Sequence, residues 1–207
     1  KCCSKSFRLY NTERYNKIIF QQFKEKIERV LVLISYYEYR ILTRQSIQFF
    51  LKRHARFTYR KNITVVIVCS SDISILDIPK DVIILKKENT GYDFASYAYG
   101  LKFMKVFDGN PYNFRKFIFL NSGVEGPFVP AYVPLSFHWV DAFLPENEPN
   151  LGVVTTTIHC ISEDDICVRQ YKRHHGPVIN SYAFSVTNID LARTLFQNYT
   201  YKKTKTE

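Results

Sequence analysis

Val82-Ile83-Ile84-Leu85-Lys86-Lys87-Glu88-Asn89-Thr90-Gly91-Tyr92-Asp93-Phe94 passes from an apolar run into a polar loop and then into a helical pattern. Val82 to Leu85 predicts a strand, and Phe94, Tyr97, Ala98, Leu101 and Met104 recur at the i, i+3, i+4, i+7 spacing of a helix. A strand that feeds a helix through a short loop is half of a βαβ unit. In an open α/β sheet the ligand lies beyond the carboxyl ends of such strands. Phe117-Ile118-Phe119-Leu120-Asn121-Ser122-Gly123 repeats the theme, an apolar strand ending abruptly in small polar residues.

Working outward, Arg29-Val30-Leu31-Val32-Leu33-Ile34 and Ile63-Thr64-Val65-Val66-Ile67-Val68 read as strands buried on both faces. Residues 12–28 and 41–54 return to helical spacing. Asp93 is placed to cap the helix after the third strand, and Asp108-Gly109-Asn110-Pro111 stops it. A fourth strand spans Lys116 to Leu120. Residues 124–150 hold five of the eight prolines and read as irregular structure around Phe137-His138-Trp139. A strand from Gly152 to Ile158, a polar loop, a strand from Ala183 to Val186 and a helix starting near Asn188 complete the chain. The expectation is one Rossmann-like α/β domain over 1–207, with a mostly parallel central sheet and helices on both faces.

Length and composition agree with that. The 207 residues suffice for one sizeable core, and 46% are apolar. No run approaches about eighteen apolar residues, so no membrane span is predicted, and no apolar leader follows Lys1-Cys2-Cys3-Ser4-Lys5. The missing initiator Met and the tail Lys202-Lys203-Thr204-Lys205 suggest a piece of a longer polypeptide. The formal charge of +10, from 29 basic and 19 acidic residues, describes either a solvated basic surface or a preference for phosphates, nucleic acid or acidic membranes. The basic residues are scattered and form no nucleic-acid module, so no nucleic-acid partner is expected. Cys2, Cys3, Cys69, Cys160 and Cys167 are odd in number and irregular in spacing. That argues against a disulfide framework and for a reducing, cytoplasmic setting. Cys69 reads as a small core residue, and His159, Cys160 and Cys167 lack the spacing of a zinc site.

Parallel strands with right-handed crossovers bring four polar strand ends to one edge. These are Ser35-Tyr36, Ser70-Ser71-Asp72, Lys87 to Asp93, and Asn121-Ser122. Tyr36 and Asp72 supply a wall and a hydrogen-bond partner for a base, and Lys86 or Lys87 a cation for a pyrophosphate. Gly91 admits a ligand close to the backbone. Each has a plainer reading: Asp72 caps a turn, Asp93 caps a helix, Gly91 makes a turn, and Ser122-Gly123 ends a strand. No G-x-G-x-x-G, no Walker-type phosphate loop and no G-x-S-x-G elbow occurs.

At these residues the chain resembles nucleotide-sugar glycosyltransferases of the GT-A fold, in particular the rhamnan-synthesis-type proteins and related algal and viral sugar transferases. Their Arg-x-Asn-x-Gly-x-Asp-Phe run is similar to Lys87 through Phe94, with Lys87 in place of the Arg. Their Asn-Ser-x-x-x-Gly-Pro-Phe is similar to Asn121 through Phe128. His138 to Phe143 and Pro177 to Phe184 also look familial, so the resemblance covers about residues 30 to 195.

The resemblance implies transfer of a sugar from a UDP-sugar donor to a glycan or glycoprotein acceptor, in the host cytoplasm if the protein is viral. It implies a nucleotide-binding half over about 29–123, with Ser35, Tyr36, Asp72, Lys87, Asn89, Gly91, Asp93, Asn121 and Ser122 at the donor. An acceptor-side half would cover about 124–200. It also implies a divalent ion, Mn²⁺ or Mg²⁺, on the diphosphate. One departure matters: Asn121-Ser122-Gly123 stands where an Asp-x-Asp is usual, and no Asp-x-Asp occurs in the chain. Asp93 and Glu125 are the nearest substitutes as metal ligands, with His174 or His175 as further help; otherwise basic residues neutralise the diphosphate. Glu125, Asp141 and the Glu163-Asp164-Asp165 cluster are the candidates for a general base. Trp139 beside Asp141 is either a sugar-facing ring or a buried core residue. The competing class is a non-catalytic nucleotide-sugar or polyanion-binding module.

Overall fold

The computed structural model describes residues 29–55, 62–71, 78–128, 132–133, 137–144, 152–156, 158–160, 177–179 and 182–197. Asp72, the expected helix over 12–28, the Glu163–Asp165 cluster, Cys167 and His174-His175 lie outside them. Eight strands and three α-helices are present among the described residues: β1 (Arg29–Tyr36), α1 (Ile41–Ala55), β2 (Ile63–Cys69), β3 (Val82–Lys86), α2 (Tyr92–Phe103), β4 (Phe114–Asn121), β5 (Val153–Thr155), β6 (Ile158–Cys160), β7 (Pro177–Ile179), β8 (Ala183–Val186) and α3 (Ile189–Phe196). A short 3-10 turn covers Trp139–Phe143.

β1 is buried over its whole length, which explains its uninterrupted apolar run. Its alternate residues enter two different cores. Val30, Val32, Ile34 and Tyr36 pack with Val65 and Ile67 of β2, with Ile47, Phe50 and Leu51 of α1, and with Trp139. Leu31 and Leu33 pack on the other face with Val66 and Val68, with Tyr97 and Leu101 of α2, and with Ala192 and Phe196 of α3. β4 splits the same way, Ile118 and Leu120 toward α1, Phe117 and Phe119 toward α2 and α3. The period of two along a strand thus distributes the helices over both faces. Phe119 is the centre of the second core: its ring lies 5.0 Å from Tyr97, 4.8 Å from Phe184 and 4.9 Å from Phe196.

The six-stranded sheet has the order β3-β2-β1-β4-β8-β5. The β3–β2, β2–β1 and β1–β4 pairs are parallel, and β8 runs antiparallel to both β4 and β5. The sheet is therefore mixed. The expected strand from Gly152 to Ile158 is two strands. Val153 to Thr155 joins the main sheet, whereas Ile158 to Cys160 pairs with β7 in a separate two-stranded sheet. An apolar, threonine-rich run gives no local sign of a change of partner.

Registers set the site. Tyr36 pairs with Cys69, Cys69 with Lys86, and Ser35 with Asn121, so four strands end level at one edge. From β1 the chain goes to β2 on one side, while β4 occupies the other. The gap between the carboxyl ends of β1 and β4 is a topological switch point, the crevice where open α/β sheets hold ligands. β8 enters from that same edge, since Ala183 pairs with Leu120.

Candidate functional site

Asn121, the last residue of β4, organises the crevice. Its backbone N–H donates to Tyr182 O at 3.0 Å. Its side-chain Oδ1 accepts from Gly123 N at 2.9 Å, and its Nδ2 donates to Asp93 Oδ2 at 2.7 Å. The two polar segments are joined through this pair. A Cβ on Gly123 would sit 3.1 Å from Asn121 Oδ1, so the glycine leaves room for the turn that holds the amide. Ser122 is half-buried beside it.

The loop into α2 is built from inside. Lys87 Nζ donates to Glu88 O at 2.7 Å and to Thr90 O at 2.6 Å, and Lys87 N donates to Cys69 O at 2.9 Å. Burial holds the Lys87 ammonium below its ordinary pKa, with Glu88 opposing. The expected phosphate cation is folded onto its own loop. Asn89 is exposed. Gly91, at φ 73°, takes the cap position of α2 with no side-chain cap, so Asp93 is not the N-cap. Asp93 stands in the first turn, where the helix dipole favours a carboxylate. Tyr92 also has a left-handed φ of 54°, which is costly for a bulky residue.

The end of β1 holds a network that sequence reasoning missed. Tyr36 is fully buried, so its ring offers no open face to a base. Its hydroxyl donates to Glu38 Oε2 at 2.9 Å. Glu38 also accepts from Arg44 Nε at 2.9 Å and from Arg44 Nη2, and its backbone N donates to Ser71 Oγ at 2.9 Å. Glu38 thereby ties β1, the first turns of α1 and the end of β2 together. Burial, then the bond to Glu38, pushes the Tyr36 phenol well above its usual pKa. Ser35 is buried within β1 beside Asn121. The signal in sequence was a Tyr-x-Glu at a strand end followed by an Arg six residues on.

A small cleft of about 20 Å³ opens between α1 and the ends of β1 and β4. It is lined by Ile34, Thr43, Ser46, Asn121, Ser122 and Val124, among others. That is room for about one water.

The expected catalytic carboxylates part company. Glu125 is exposed, four residues beyond Asn121. Asp141 Oδ2 accepts from His138 N at 2.8 Å, while His138 Nδ1 accepts from Val140 N at 3.2 Å. Asp141 closes a capping box on the 3-10 turn. Trp139 is buried, edge-on to Phe50 at 5.5 Å, and is a core residue. Cys69 is also buried, its thiol pushed up to about 11 by desolvation.

No group of three His, Cys, Asp or Glu side chains clusters among the described residues. A hard cation held on a diphosphate does not need a closed protein cage. One or two carboxylates suffice, with phosphate oxygens completing the shell. Asp93 fits that limited demand, because the Asn121 amide orients it as an outer-shell partner orients a ligand. No helix among the described residues is long and apolar enough to cross a membrane.

The chain matches no protein-family model, no curated protein and no solved structure.

Proposed function

We propose that this chain is a GT-A-type glycosyltransferase that takes a sugar from a nucleotide-sugar donor, a UDP-sugar by resemblance, to a glycan acceptor. The observation that carries the reading is the 2.7 Å bond from Asn121 to Asp93. It unites the two segments that bear the resemblance, at the switch point where an α/β sheet binds ligands.

In this reading Asp93, held in place by Asn121, faces the donor diphosphate through a cation, since two anions in direct contact repel. Gly91 and Ser122 border it, and the Lys87 clamp keeps the loop in shape. Asp93, with Glu125, would hold a divalent ion, Mn²⁺ or Mg²⁺. Such an ion offsets charge on the leaving diphosphate. The acceptor hydroxyl oxygen forms a bond to the anomeric carbon as the bond to the diphosphate oxygen breaks. For an inverting course in which Asp93 alone holds the ion, Glu125, exposed and four residues past the strand end, is the base that takes the hydroxyl proton. Asp141, engaged in its capping box, is the weaker candidate.

A second reading is a non-catalytic nucleotide-sugar or polyanion-binding module. The missing Asp-x-Asp and the structural engagement of Asp141 favour it. Incubation with UDP-sugars, with and without Mn²⁺, separates the two. Release of UDP supports the enzyme, and binding without turnover supports the module. Absence of both for all nucleotide sugars defeats the enzyme and the nucleotide-sugar module alike.

A further inference from the structure

The corner between β1 and α1 exposes large apolar side chains in near succession. Tyr37 is 43% exposed, Tyr39 52%, Ile41 68% and Leu42 58%. The corner lies at the carboxyl edge of the sheet, because α1 starts where β1 ends.

The charges of the corner are one-sided. Arg40 lies over the Tyr39 ring at 4.7 Å. The first turn of α1 carries no acidic residue. The acid of the corner, Glu38, is mostly covered and paired with Arg44. The whole chain carries +10. Exposed aliphatics gain by leaving water for hydrocarbon and gain nothing from sugar hydroxyls. Tyrosines with a wet hydroxyl and an apolar ring suit the headgroup level. Arginine suits lipid phosphate.

We propose that this corner is a docking surface for an anionic lipid bilayer. Ile41 and Leu42 enter the acyl boundary, Tyr37 and Tyr39 sit among the headgroups, and Arg40 meets the lipid phosphates. The corner lies on the membrane rather than crossing it, held by modest apolar area plus charge. The same helix lines the switch-point cleft through Thr43, Ser46 and Ile47, so the cleft would stand close to the lipid surface. The inference does not depend on sugar transfer.

The test is co-sedimentation of the full chain with phosphatidylcholine vesicles, with and without about a third phosphatidylserine. The expected result is binding only to the anionic vesicles, weakened by salt, and reduced at least tenfold in Ile41→Asp/Leu42→Asp. Both positions are exposed, and a thermal melt checks that the variant folds. Should it not fold, Tyr39→Trp provides a second measurement, its emission moving to the blue on anionic vesicles. Wild-type protein that stays in the supernatant, or equal binding by the double aspartate variant, overturns the proposal. So does a dimer or protein complex broken by the double variant in the absence of lipid binding, which would assign the corner to a protein.

Discussion

Asn121 Nδ2 donates to Asp93 Oδ2 at 2.7 Å across 28 residues of chain, so the exit of β4 and the first turn of α2 are one unit. Asn121 Oδ1 also accepts from Gly123 N. Asn121→Ala removes both bonds and is expected to cost about 2 kcal/mol, since bonds to charged groups exceed neutral ones. In a double-mutant cycle with Asp93→Ala the two losses should fall short of additive by about 1 kcal/mol. Urea unfolding of the four proteins measures this; full additivity would mean that the contact contributes nothing.

Glu38 is the hub at the end of β1. Tyr36→Phe keeps the buried ring and deletes the hydroxyl, leaving Glu38 with Arg44; a loss of about 1 kcal/mol is expected. The Glu38–Arg44 pair is partly exposed on the arginine side, so solvent screens it. Its coupling should be small and should shrink at 1 M salt. A coupling that is unchanged by salt would show that the geometry of the corner is held by something else.

Most of the sheet was legible because β1, β2 and β4 are long apolar runs buried on both faces, a pattern few other elements produce. The start of α3 was legible too, since Asn188 Oδ1 caps Leu191 N at 2.8 Å. Other features depend on distant partners. Tyr36 looked like a wall for a ligand, yet Glu38 satisfies its hydroxyl and lets the ring enter the core. Lys87 looked like a phosphate cation, yet two carbonyls of its own loop take the ammonium. Asp93 looked like a cap, but a left-handed Gly91 fills that position and the carboxylate turns to Asn121. In each case the residue type was read correctly as polar chemistry at a strand end. What was not readable was which neighbour, 1 to 28 residues away, would claim it.

Acid should loosen the α1 face of the sheet through His54. This residue is buried near the end of α1, stacked on Phe50 at 6.0 Å, and its Nδ1 has no partner among the described residues. Burial lowers its pKa, with Asp81 opposing. The unfolded chain therefore binds the proton more readily than the folded one. Stability is full above the ordinary histidine pKa of about 6.5 and declines as pH falls from there toward the lower folded value. His54→Phe should flatten that part of the profile. Thermal melts between pH 7.5 and 5 read the difference between the two proteins, and parallel curves would remove His54 as the cause.

Gly100 marks a close approach of α2 to the sheet. A Cβ there would lie 2.5 Å from Leu33 Cδ2 and 3.3 Å from Val68 Cγ2, both on fully buried residues. Overpacking costs about 1–3 kcal/mol, and the gain in helix propensity from alanine recovers up to about 1. Gly100→Ala should lower stability by about 1 kcal/mol, seen as a lower urea midpoint at constant slope. A rise in the midpoint would mean that Leu33 moves aside without strain.

Thermal-shift titration with UDP-sugars, with and without Mn²⁺, on wild-type protein and Asp93→Ala tests the nucleotide-sugar reading most directly. A ligand that binds only the folded state raises the midpoint by mass action. The expected result is a concentration-dependent rise for the wild type with at least one UDP-sugar, larger with Mn²⁺, and none for a folded Asp93→Ala. No rise with any nucleotide sugar, or an equal rise in the variant, would contradict it.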